Sequence, residues 1–404
     1  MKKRFYKWNL LAILYLILSS WQCTENPIET NLSHLSLKID TLSIKIESAK
    51  TYRVAPSLGA NERLYLGMKN EIQIPISFIG INESLYWNYY LDSTIVFDSL
   101  HFLLYSDDST LTQSSTPILY FHSDSQFSES KSTYLDLEGF SVADWIDLGP
   151  PVVKVLNDTS GSFTQTELKW DIMSLVEILT DTADSNLIRS FAIQLINSDT
   201  NFIELFSREA SSGSSDPKVK GYYHQIIEID QDSTSSDTSD FTIYSFGDIS
   251  VFNSINVNHD TNKISLSNGL GLRSIFSIDF DSTSIPDGAL IRRANLKIPV
   301  DTQLSFHDFK IVVDPTETDF DTSNMIFESD PFHGIGYPYR VSSLVDDGLF
   351  TISLKGFFQN VALGNEDNFG FKIISDEKNN PFDLIHFKLR DDIKPILELI
   401  YAFD

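Results

Sequence analysis

Hydrophobic and polar residues alternate with a period near two along most of this 404-residue chain. The run from Leu35 to Ile46 shows the pattern clearly, since apolar side chains recur at about every second position, as in a strand that buries one face. Residues that favour strands fill such runs, and Ser, Asp, Asn and Gly separate them. The pattern predicts an all-β protein. The comparable runs are residues 64–81, 95–105, 191–196, 203–206, 243–251, 264–280, 296–300 and 369–374.

A helical period of 3.6 is confined to two short segments, residues 170–179 and 356–363. Strands and long helices do not alternate along the chain, which argues against a parallel sheet of the βαβ type. Many short strands with polar turns indicate antiparallel sandwiches or barrels instead. We therefore predict two tandem antiparallel jelly-roll-like β-sandwiches with few short helices.

One segment, residues 230–240, contains four carboxylates and no apolar residue. Such a run has nothing to bury and its charges repel, so it predicts an extended linker. The linker would separate a domain at 35–229 from a second domain at 241–404. Both parts contain an ordered series of similar strands, which predicts an internal repeat at domain scale. The paired segments are 191–196 with 369–374, 202–206 with 382–387, and 217–223 with 395–401.

The second copy carries three motifs in order: an arginine-apolar strand at Leu270–Phe280, an Ile-Pro-x-Gly segment at Ile285–Leu296, and a closing Pro-to-Tyr strand at Pro395–Tyr401. The first copy fits at Ser48–Gly67 but has Ile74–Ile79 in place of the arginine-apolar strand. This ordered set resembles the DNRLRE-type β-sandwich module, which is related to the family 96 carbohydrate-binding modules. The resemblance implies jelly-roll sandwiches without catalytic machinery, of a kind credited with glycan binding or adhesion.

The N-terminus has the layout of an export signal. A basic start precedes an apolar run at residues 10–18, and Cys23, the only cysteine, follows it. As a helix the run is about 14 Å long, too short for a hydrocarbon layer of ~30 Å. The layout is similar to bacterial lipoprotein signals, although Ser20 and Gln22 stand where an aliphatic and a small residue are usual. It predicts a signal peptide at 1–22, a lipid on Cys23 and a tether at 23–34, with an ordinary secretory signal and an incidental cysteine as the alternative.

These features predict an exported outer-membrane lipoprotein, at the cell surface or on the periplasmic face, which touches the membrane through its lipid anchor only. No second cysteine is present to form a disulfide with Cys23, so packing must hold the fold. The formal net charge of −26 argues against nucleic acid as a partner, because phosphates repel such a surface. Acidity either keeps an exported protein soluble or supplies loops that hold calcium.

The chain carries no recognisable catalytic motif. It has no Gly-x-Ser-x-Gly turn and no His-Glu-x-x-His pair, and its eight histidines are scattered. A carboxylate pair for glycoside hydrolysis depends on distances through space, so a hydrolase stays as a third alternative. The sequence predicts that the protein is not an enzyme.

An aromatic cluster at residues 86–90 is the first candidate ligand site. In an extended strand Trp87 and Tyr89 share one face, and the flanking Asn88 can hydrogen-bond sugar hydroxyls. Exposed rings of this kind stack on the apolar side of sugars. Trp145, which has acidic neighbours, is a weaker candidate of the same kind. The alternative is that these rings fill the core or cover a sheet edge.

An oxygen-rich loop is a candidate calcium site, because calcium takes six to eight oxygen ligands from carboxylates and carbonyls. Its spacing is not that of an EF-hand, and an ordinary solvated turn is the alternative. The loop supplies Asp314, Glu317, Asp319 and Asp321.

We therefore expect an exported surface lipoprotein whose non-catalytic β-sandwich modules bind a polysaccharide or an envelope or surface partner protein. Calcium is the one cofactor that the sequence suggests. The alternative function is that of a structural spacer, or an accessory subunit of a cell-envelope assembly, without a small ligand.

Overall fold

The computed structural model describes residues 37–46, 48–70, 72–82, 94–108, 111, 116–136, 139–157, 164–180, 188–196, 201–210, 213–230, 233–253, 263–301, 309–319, 325–345, 348–376, 380–389 and 394–404. The predicted signal, Cys23 and the tether lie outside the described residues. Within them, no helix is long and apolar enough to cross a membrane.

Strands dominate the described structure, so the all-β prediction is confirmed. The strands are β1 (Lys38–Lys45), β2 (Ser48–Val54), β3 (Arg63–Lys69), β4 (Ile72–Ile74), β5 (Ile76–Asn82), β6 (Ile95–Ser106), β7 (Pro117–His122), β8 (Ile146–Gly149), β9 (Val152–Asn157), β10 (Thr164–Asp171), β11 (Ile188–Leu195), β12 (Phe202–Phe206), β13 (Lys218–Asp230), β14 (Ser233–Tyr244), β15 (Gly247–Val251), β16 (Lys263–Leu266), β17 (Leu272–Ser277), β18 (Leu290–Pro299), β19 (Lys310–Pro315), β20 (Ile326–Phe327), β21 (Val341–Leu344), β22 (Leu349–Ser353), β23 (Phe371–Ser375), β24 (Ile385–Lys388) and β25 (Ile396–Phe403).

Helices are short and occur where the 3.6 period predicted them. Helix α1 (Val176–Leu179) follows a 3-10 turn at Met173–Leu175, and helix α2 (Lys355–Ala362) precedes β23. A further 3-10 turn lies at Gly213–Ser215. Each helix buries apolar side chains against a sheet core. Helices this short owe most of their stability to such packing.

The strands from β3 to β15 form one group, which we call the first unit. Its sheets have the orders β14-β13-β6-β10-β9, β15-β5-β11-β7-β8 and β12-β3-β4. The inner faces of the two five-stranded sheets share one core, in which Phe102 of β6 stacks on Phe191 of β11 with ring centroids 4.4 Å apart. Trp170 of β10 lies 6.1 Å from Phe102 in the same core.

The remaining strands, β1, β2 and β16 to β25, form a second group, which we call the second unit. Its sheets have the orders β1-β25-β18-β22, β20-β2-β17-β23-β19-β21 and β16-β24. Phe276 of β17 stacks on Phe371 of β23 at 5.2 Å, and Phe357 of α2 packs edge-on against Phe371 at the same distance. The short β20 pairs with β2 in parallel, while the other ladders of this unit are antiparallel.

The two units have the same strand arrangement. The order β14-β13-β6-β10 matches β1-β25-β18-β22, and β15-β5-β11-β7-β8 matches β2-β17-β23-β19-β21. A hydrogen bond repeats with it, since Tyr65 donates its backbone N–H to Ser250 Oγ at 2.8 Å, as Ser265 does to Thr51 Oγ1 at 2.9 Å. Strands β1 and β2 therefore take the places in the second unit that β14 and β15 take in the first.

The prediction of an extended linker at 230–240 is wrong. Ser233–Tyr244 is an edge strand that pairs with β13 from Lys218, opposite Tyr244, to Asp230, opposite Ser233. Backbone hydrogen bonds hold such a hairpin, and residues 237–240 are exposed. An edge strand in water therefore needs no apolar residue, which is why composition alone suggested a linker.

The predicted domain boundaries, 35–229 and 241–404, do not coincide with the units. Residues 38–54 belong to the second unit, although they come first in the chain, and residues 247–251 belong to the first unit. The first unit is thus inserted between β2 and β16 of the second. Pairing between strands far apart in sequence leaves no local signal, so the boundaries could not be read from composition.

Aromatic side chains from both units form a shared cluster. Phe382 of the second unit packs against Tyr65 at 4.9 Å and Phe202 at 5.1 Å, both from the first unit. Phe252, which follows β15, lies 5.6 Å from Phe382. Lys69 places its ammonium group 5.0 Å from the centre of the Phe382 ring. The cluster couples the two units through buried apolar area.

Candidate functional site

Aromatic and charged side chains occur together on the outer face of the β14-β13-β6-β10-β9 sheet, where Tyr222, Asp240 and Tyr244 are exposed and Lys218 is buried. Side chains alternate between the faces of a strand, and Val219 and its partner Ile243 are buried in the core. The neighbouring positions on β13 and β14 therefore point outward. We call this surface the tyrosine face; its residues are Lys218, Lys220, Tyr222, His224, Asp240 and Tyr244.

Two tyrosine rings of this face are partly open to solvent. Tyr222 is 38% exposed and Tyr244 is 49% exposed. Tyr222 lies opposite Asp240 in the ladder, and Tyr244 lies opposite Lys218. Four residues along β13 and one strand spacing across separate the two tyrosines, which is about 14 Å. The two rings thus lie on one sheet surface, at a distance that an extended ligand can bridge.

Lysine side chains position both rings. Lys220 Nζ lies 5.0 Å from the centre of the Tyr222 ring and 3.5 Å from the Asp240 carboxylate. Lys218 Nζ lies 5.6 Å from the centre of the Tyr244 ring. Both contacts are cation–π interactions, which favour a fixed ring position. A hydrogen bond to Tyr222 raises the pKa of Lys220, and burial lowers the pKa of Lys218.

Polar groups continue the face onto the neighbouring strands. His224 Nδ1 lies 2.9 Å from an Asp98 carboxylate oxygen, at the end of β6. Tyr105 of β6 donates its hydroxyl hydrogen to Glu167 of β10 at 3.2 Å. The surface therefore offers hydrogen-bond donors and acceptors around the two rings, and it includes both basic and acidic side chains. Rings with flanking polar groups can stack on the apolar side of a sugar and hydrogen-bond its hydroxyls.

The equivalent face of the second unit, on the β1-β25-β18-β22 sheet, has a different composition. Its outward residues are aliphatic, small or charged, and no aromatic residue occurs there among the described strand positions. Lys297 pairs with Glu398 across this face at 3.0 Å. The two units thus share an arrangement of strands but differ on this surface. The outward residues are Ile39, Thr41, Ser43, Lys45, Leu290, Arg293, Asn295, Lys297, Pro299, Leu349, Thr351, Ser353, Ile396, Glu398, Ile400 and Ala402.

Sequence reasoning missed the tyrosine face, although one signal was available. The assignment of 230–240 to a linker removed Asp240 from the fold, so β14 could not be recognised as a partner of β13. The alternation of Lys218, Lys220, Tyr222 and His224 with apolar Val219 was visible, and it is the pattern of a strand with one wet face.

The predicted aromatic site, Trp87, Asn88 and Tyr89, lies outside the described residues. The chain rejoins the described structure at Thr94, beside β13. Ile226 donates its backbone N–H to the Thr94 carbonyl at 2.8 Å, and Gln225 donates its side-chain N–H to Thr94 Oγ1 at 3.2 Å. The strand that carries Tyr222 thus also binds Thr94, the first described residue after the aromatic cluster.

Trp145 does not provide an exposed ring for sugar stacking. It is only 9% exposed and lies 5.2 Å from the ring of His122, 5.8 Å from Phe140 and 6.0 Å from Phe78. The loop before β8 folds over the outer face of the β15-β5-β11-β7-β8 sheet and brings its own aromatic residues. Trp145 is therefore part of a small core under this loop, as the alternative interpretation held.

The structure does not bring Asp314, Glu317 and Asp319, the described residues of the predicted calcium loop, together. Asp314 is buried, and its carboxylate accepts the Gly336 backbone N–H at 2.9 Å and lies 3.9 Å from Arg340. Glu317 and Asp319 are exposed, and Asp321 lies outside the described residues. Asp314, Glu317 and Asp319 form no group of close carboxylate oxygens in the part of the chain that the structure describes.

The tyrosine face is the surface on which these residues best fit a ligand. Its ring positions, its lysines and its acids come from adjacent strands of one sheet, so the backbone fixes their spacing. Relatives supply no assignment for it, since no protein-family model matches this chain and no curated protein has a matching sequence.

Proposed function

We propose that this chain is an exported, lipid-anchored surface protein without catalytic activity, which binds a polysaccharide through the tyrosine face of its first unit. The observation that supports the proposal is the placement of Tyr222 and Tyr244 on one open sheet surface among hydrogen-bonding groups. Aromatic rings with polar neighbours fit the two sides of a sugar, which are apolar C–H groups and hydroxyls.

The shape of the face favours a polymer over a small molecule. Small-molecule sites are concave and enclose most of their ligand, whereas this surface is the outside of a sheet. Two rings about 14 Å apart, by strand geometry, suit a chain that runs over several sugars. Cell-surface and extracellular polysaccharides are therefore the ligand class that we propose.

Trp87, Asn88 and Tyr89 are proposed as additional sugar contacts. The support is local, because their segment rejoins the fold at Thr94, which bonds to Gln225 and Ile226 on the strand of Tyr222. A partner protein that presents an extended polar surface is the other ligand that this face would suit.

A structural role is the second candidate function. The cluster around Phe382 ties the two units together. A spacer or accessory subunit of a cell-envelope assembly benefits from such coupling, because two coupled units do not bend relative to each other as units joined by a flexible linker do. This function needs no small ligand and no exposed tyrosine.

Retention of the full chain on a panel of insoluble polysaccharides tests the proposal. We expect retention on at least one polysaccharide, loss of retention when its soluble form competes, and at least a tenfold weaker affinity for Tyr222→Ala and Tyr244→Ala. Tyr244→Phe should bind nearly as well as the wild type, since the ring rather than the hydroxyl makes the stacking contact.

Tyr337→Ala is the matched control, because Tyr337 is a 95% exposed tyrosine of the second unit. It should leave retention unchanged. Retention that survives the double substitution at Tyr222 and Tyr244 would place the binding surface elsewhere. Failure of the wild type on every polysaccharide would favour the structural role.

A further inference from the structure

Three carboxylates from distant parts of the chain meet in the first unit. Glu129 lies in the loop between β7 and β8, Glu209 follows β12, and Asp248 is the second residue of β15. One carboxylate oxygen of each residue lies within 4.8 Å of the other two. We call this group the carboxylate triad. It is separate from the predicted calcium loop, which lies in the second unit.

Asp248 is buried, and only one of its two carboxylate oxygens has a hydrogen-bond partner. Its side chain is 1% exposed, and its Oδ2 accepts the backbone N–H of Arg208 at 2.8 Å. Its Oδ1 is buried without a hydrogen-bond partner, and so is Oε2 of Glu209. Buried polar atoms nearly always have a partner, because their desolvation is otherwise uncompensated. Two orphaned carboxylate oxygens in one group of acids therefore point to a missing cationic ligand.

No described side chain forms an ion pair with the triad. The ion pairs found among the described residues involve none of the three acids. The Arg208 guanidinium donates a hydrogen bond to the Phe246 carbonyl instead. Burial raises the pKa of Asp248 well above its usual range, and the charges of Glu209 and Glu129 add to this effect. Three such groups repel one another unless a cation or a proton lies between them.

A glycine next to Asp248 lets the Glu129 carboxylate approach the backbone of β15 closely. A Cβ atom at Gly247 would lie 3.0 Å from the Glu129 carboxylate, so a larger residue would push that carboxylate away. Asp248 also donates its backbone N–H to Glu129 Oε1 at 3.3 Å. Glu129 and Glu209 are half-buried, so part of each residue contacts solvent. The backbone of β15 thus holds the Glu129 carboxylate next to Asp248.

We propose that Glu129, Glu209 and Asp248 bind one calcium ion. The donor set consists of carboxylate oxygens, which hard divalent cations prefer. Calcium accepts about six to eight oxygen ligands in a flexible geometry, whereas magnesium demands a near-ideal octahedron and gives up its waters reluctantly, so three carboxylates from separate segments fit calcium better. Water and nearby carbonyls would complete the coordination.

The ion would fasten the loop that buries Trp145. Glu129 belongs to this loop, whereas Asp248 and Glu209 belong to β15 and to the turn after β12. A calcium ion between them would link three segments that otherwise meet through few polar contacts. The site is independent of the tyrosine face, so the two proposals can fail separately.

Thermal melting of the full chain tests the site. After treatment with EDTA and removal of the chelator, we expect millimolar calcium to raise the melting temperature by several degrees and magnesium to raise it much less. Isothermal titration with calcium should give one ion per chain. Glu209→Gln should abolish the calcium shift and weaken binding at least tenfold.

Glu317→Gln is the matched control, since it removes an exposed acid from the predicted calcium loop, and it should keep the full shift. If Asp248→Asn fails to fold, Glu129→Gln and Glu209→Gln, at half-buried positions, still test the site. An unchanged melting temperature with calcium and EDTA would mean that the acids share a proton and would overturn the proposal. A shift that Glu317→Gln removes and Glu209→Gln keeps would overturn it as well.

Discussion

Lys38 and Phe403 are direct partners in the antiparallel pair of β1 and β25, although almost the whole described chain separates them. The Lys38 ammonium group lies 5.7 Å from the centre of the Phe403 ring. The first strand thus completes the sheet that the last strand belongs to. The described chain therefore begins and ends in one sheet. We call this arrangement the closure of the second unit, because that unit contains two strands that precede the first unit in the sequence.

This closure predicts how pieces of the protein behave. Residues 241–404, the second domain predicted from the sequence, should not fold to a stable monomer, because β25 loses β1 and β17 loses β2. The exposed strand edges would also promote association. Circular dichroism melts and size-exclusion chromatography are the measurements, and a cooperative melt from a monomeric 241–404 piece would contradict the closure.

A circular permutant gives the matched control. Residues 263–404 joined to residues 37–56 by a turn of about two to four residues recreate β1 and β2 beside their partners. The turn is short because Lys38 and Phe403 are already opposite each other. It copies the natural hairpin of β13 and β14 in the first unit. We expect this permutant to melt cooperatively as a monomer.

The shared aromatic cluster should make the two units unfold together. Phe382→Ala removes ring contacts with Tyr65, Phe202 and Phe252, and large-to-small changes of this kind cost about 3–5 kcal/mol. We expect a lower melting temperature and a split of one calorimetric transition into two. Phe369→Ala removes a more exposed ring and should have a smaller effect with one transition. A single transition in Phe382→Ala would show that other contacts couple the units.

The amount of this fold that could be predicted from the sequence depends on the range of each interaction. Alternation along β11 and β23 is local, and residues 191–196 and 369–374, which were paired in the sequence, occupy the same place in the two matching sheet orders. The pairing of Lys38 with Phe403 is not local, and no property of either residue indicates it. The β14 edge strand was missed because residues 233–240 contain no apolar residue, whereas Phe241 and Ile243, which the strand buries, come after the predicted linker.

The residues of the candidate sites could likewise be predicted only where their signal is local in the sequence. Tyr222 was readable as an outward residue of a strand, but its partner Asp240 required the register of β13 and β14. Glu129, Glu209 and Asp248 meet only through the sheet topology, so no spacing rule finds them. Trp145 was chosen for its type, and its burial depends on the loop that covers the sheet.

Lipid modification can be tested without disturbing the fold. Cys23 precedes β1, which begins at Lys38, so Cys23→Ser should leave the melting temperature of the folded part unchanged. We expect the substitution to abolish labelling with a radioactive fatty acid and to move the exported protein from the membrane to the soluble fraction. A serine variant that stays in the membrane fraction would favour attachment by another route. Lys38→Ser, in the described strand, is the control that should keep the label.

Asp330 makes a pH-dependent contribution to stability. Its carboxylate lies 3.1 Å from Lys372 Nζ, pairs with Arg273, and accepts the Tyr52 hydroxyl at 3.1 Å. Burial alone would raise the pKa of Asp330, but Arg273 and Lys372 outweigh burial and hold the pKa below its usual range. These contacts join the segment after β20 to β2, β17 and β23.

A carboxyl with a lowered pKa in the folded state stabilises the fold above its unfolded pKa of about 3.9, and this stabilisation is lost as the pH falls through the folded pKa. Asp330→Asn should therefore cost about 3 kcal/mol at pH 7, since it leaves Lys372 and Arg273 without their counter-charge. Urea unfolding should show this difference unchanged at pH 5 and reduced below pH ~4. Asp107→Asn breaks an exposed pair with Arg63 and should cost less than about 1 kcal/mol. A loss at Asp330→Asn that is equally large at pH 3 would show that packing, rather than charge, holds this segment.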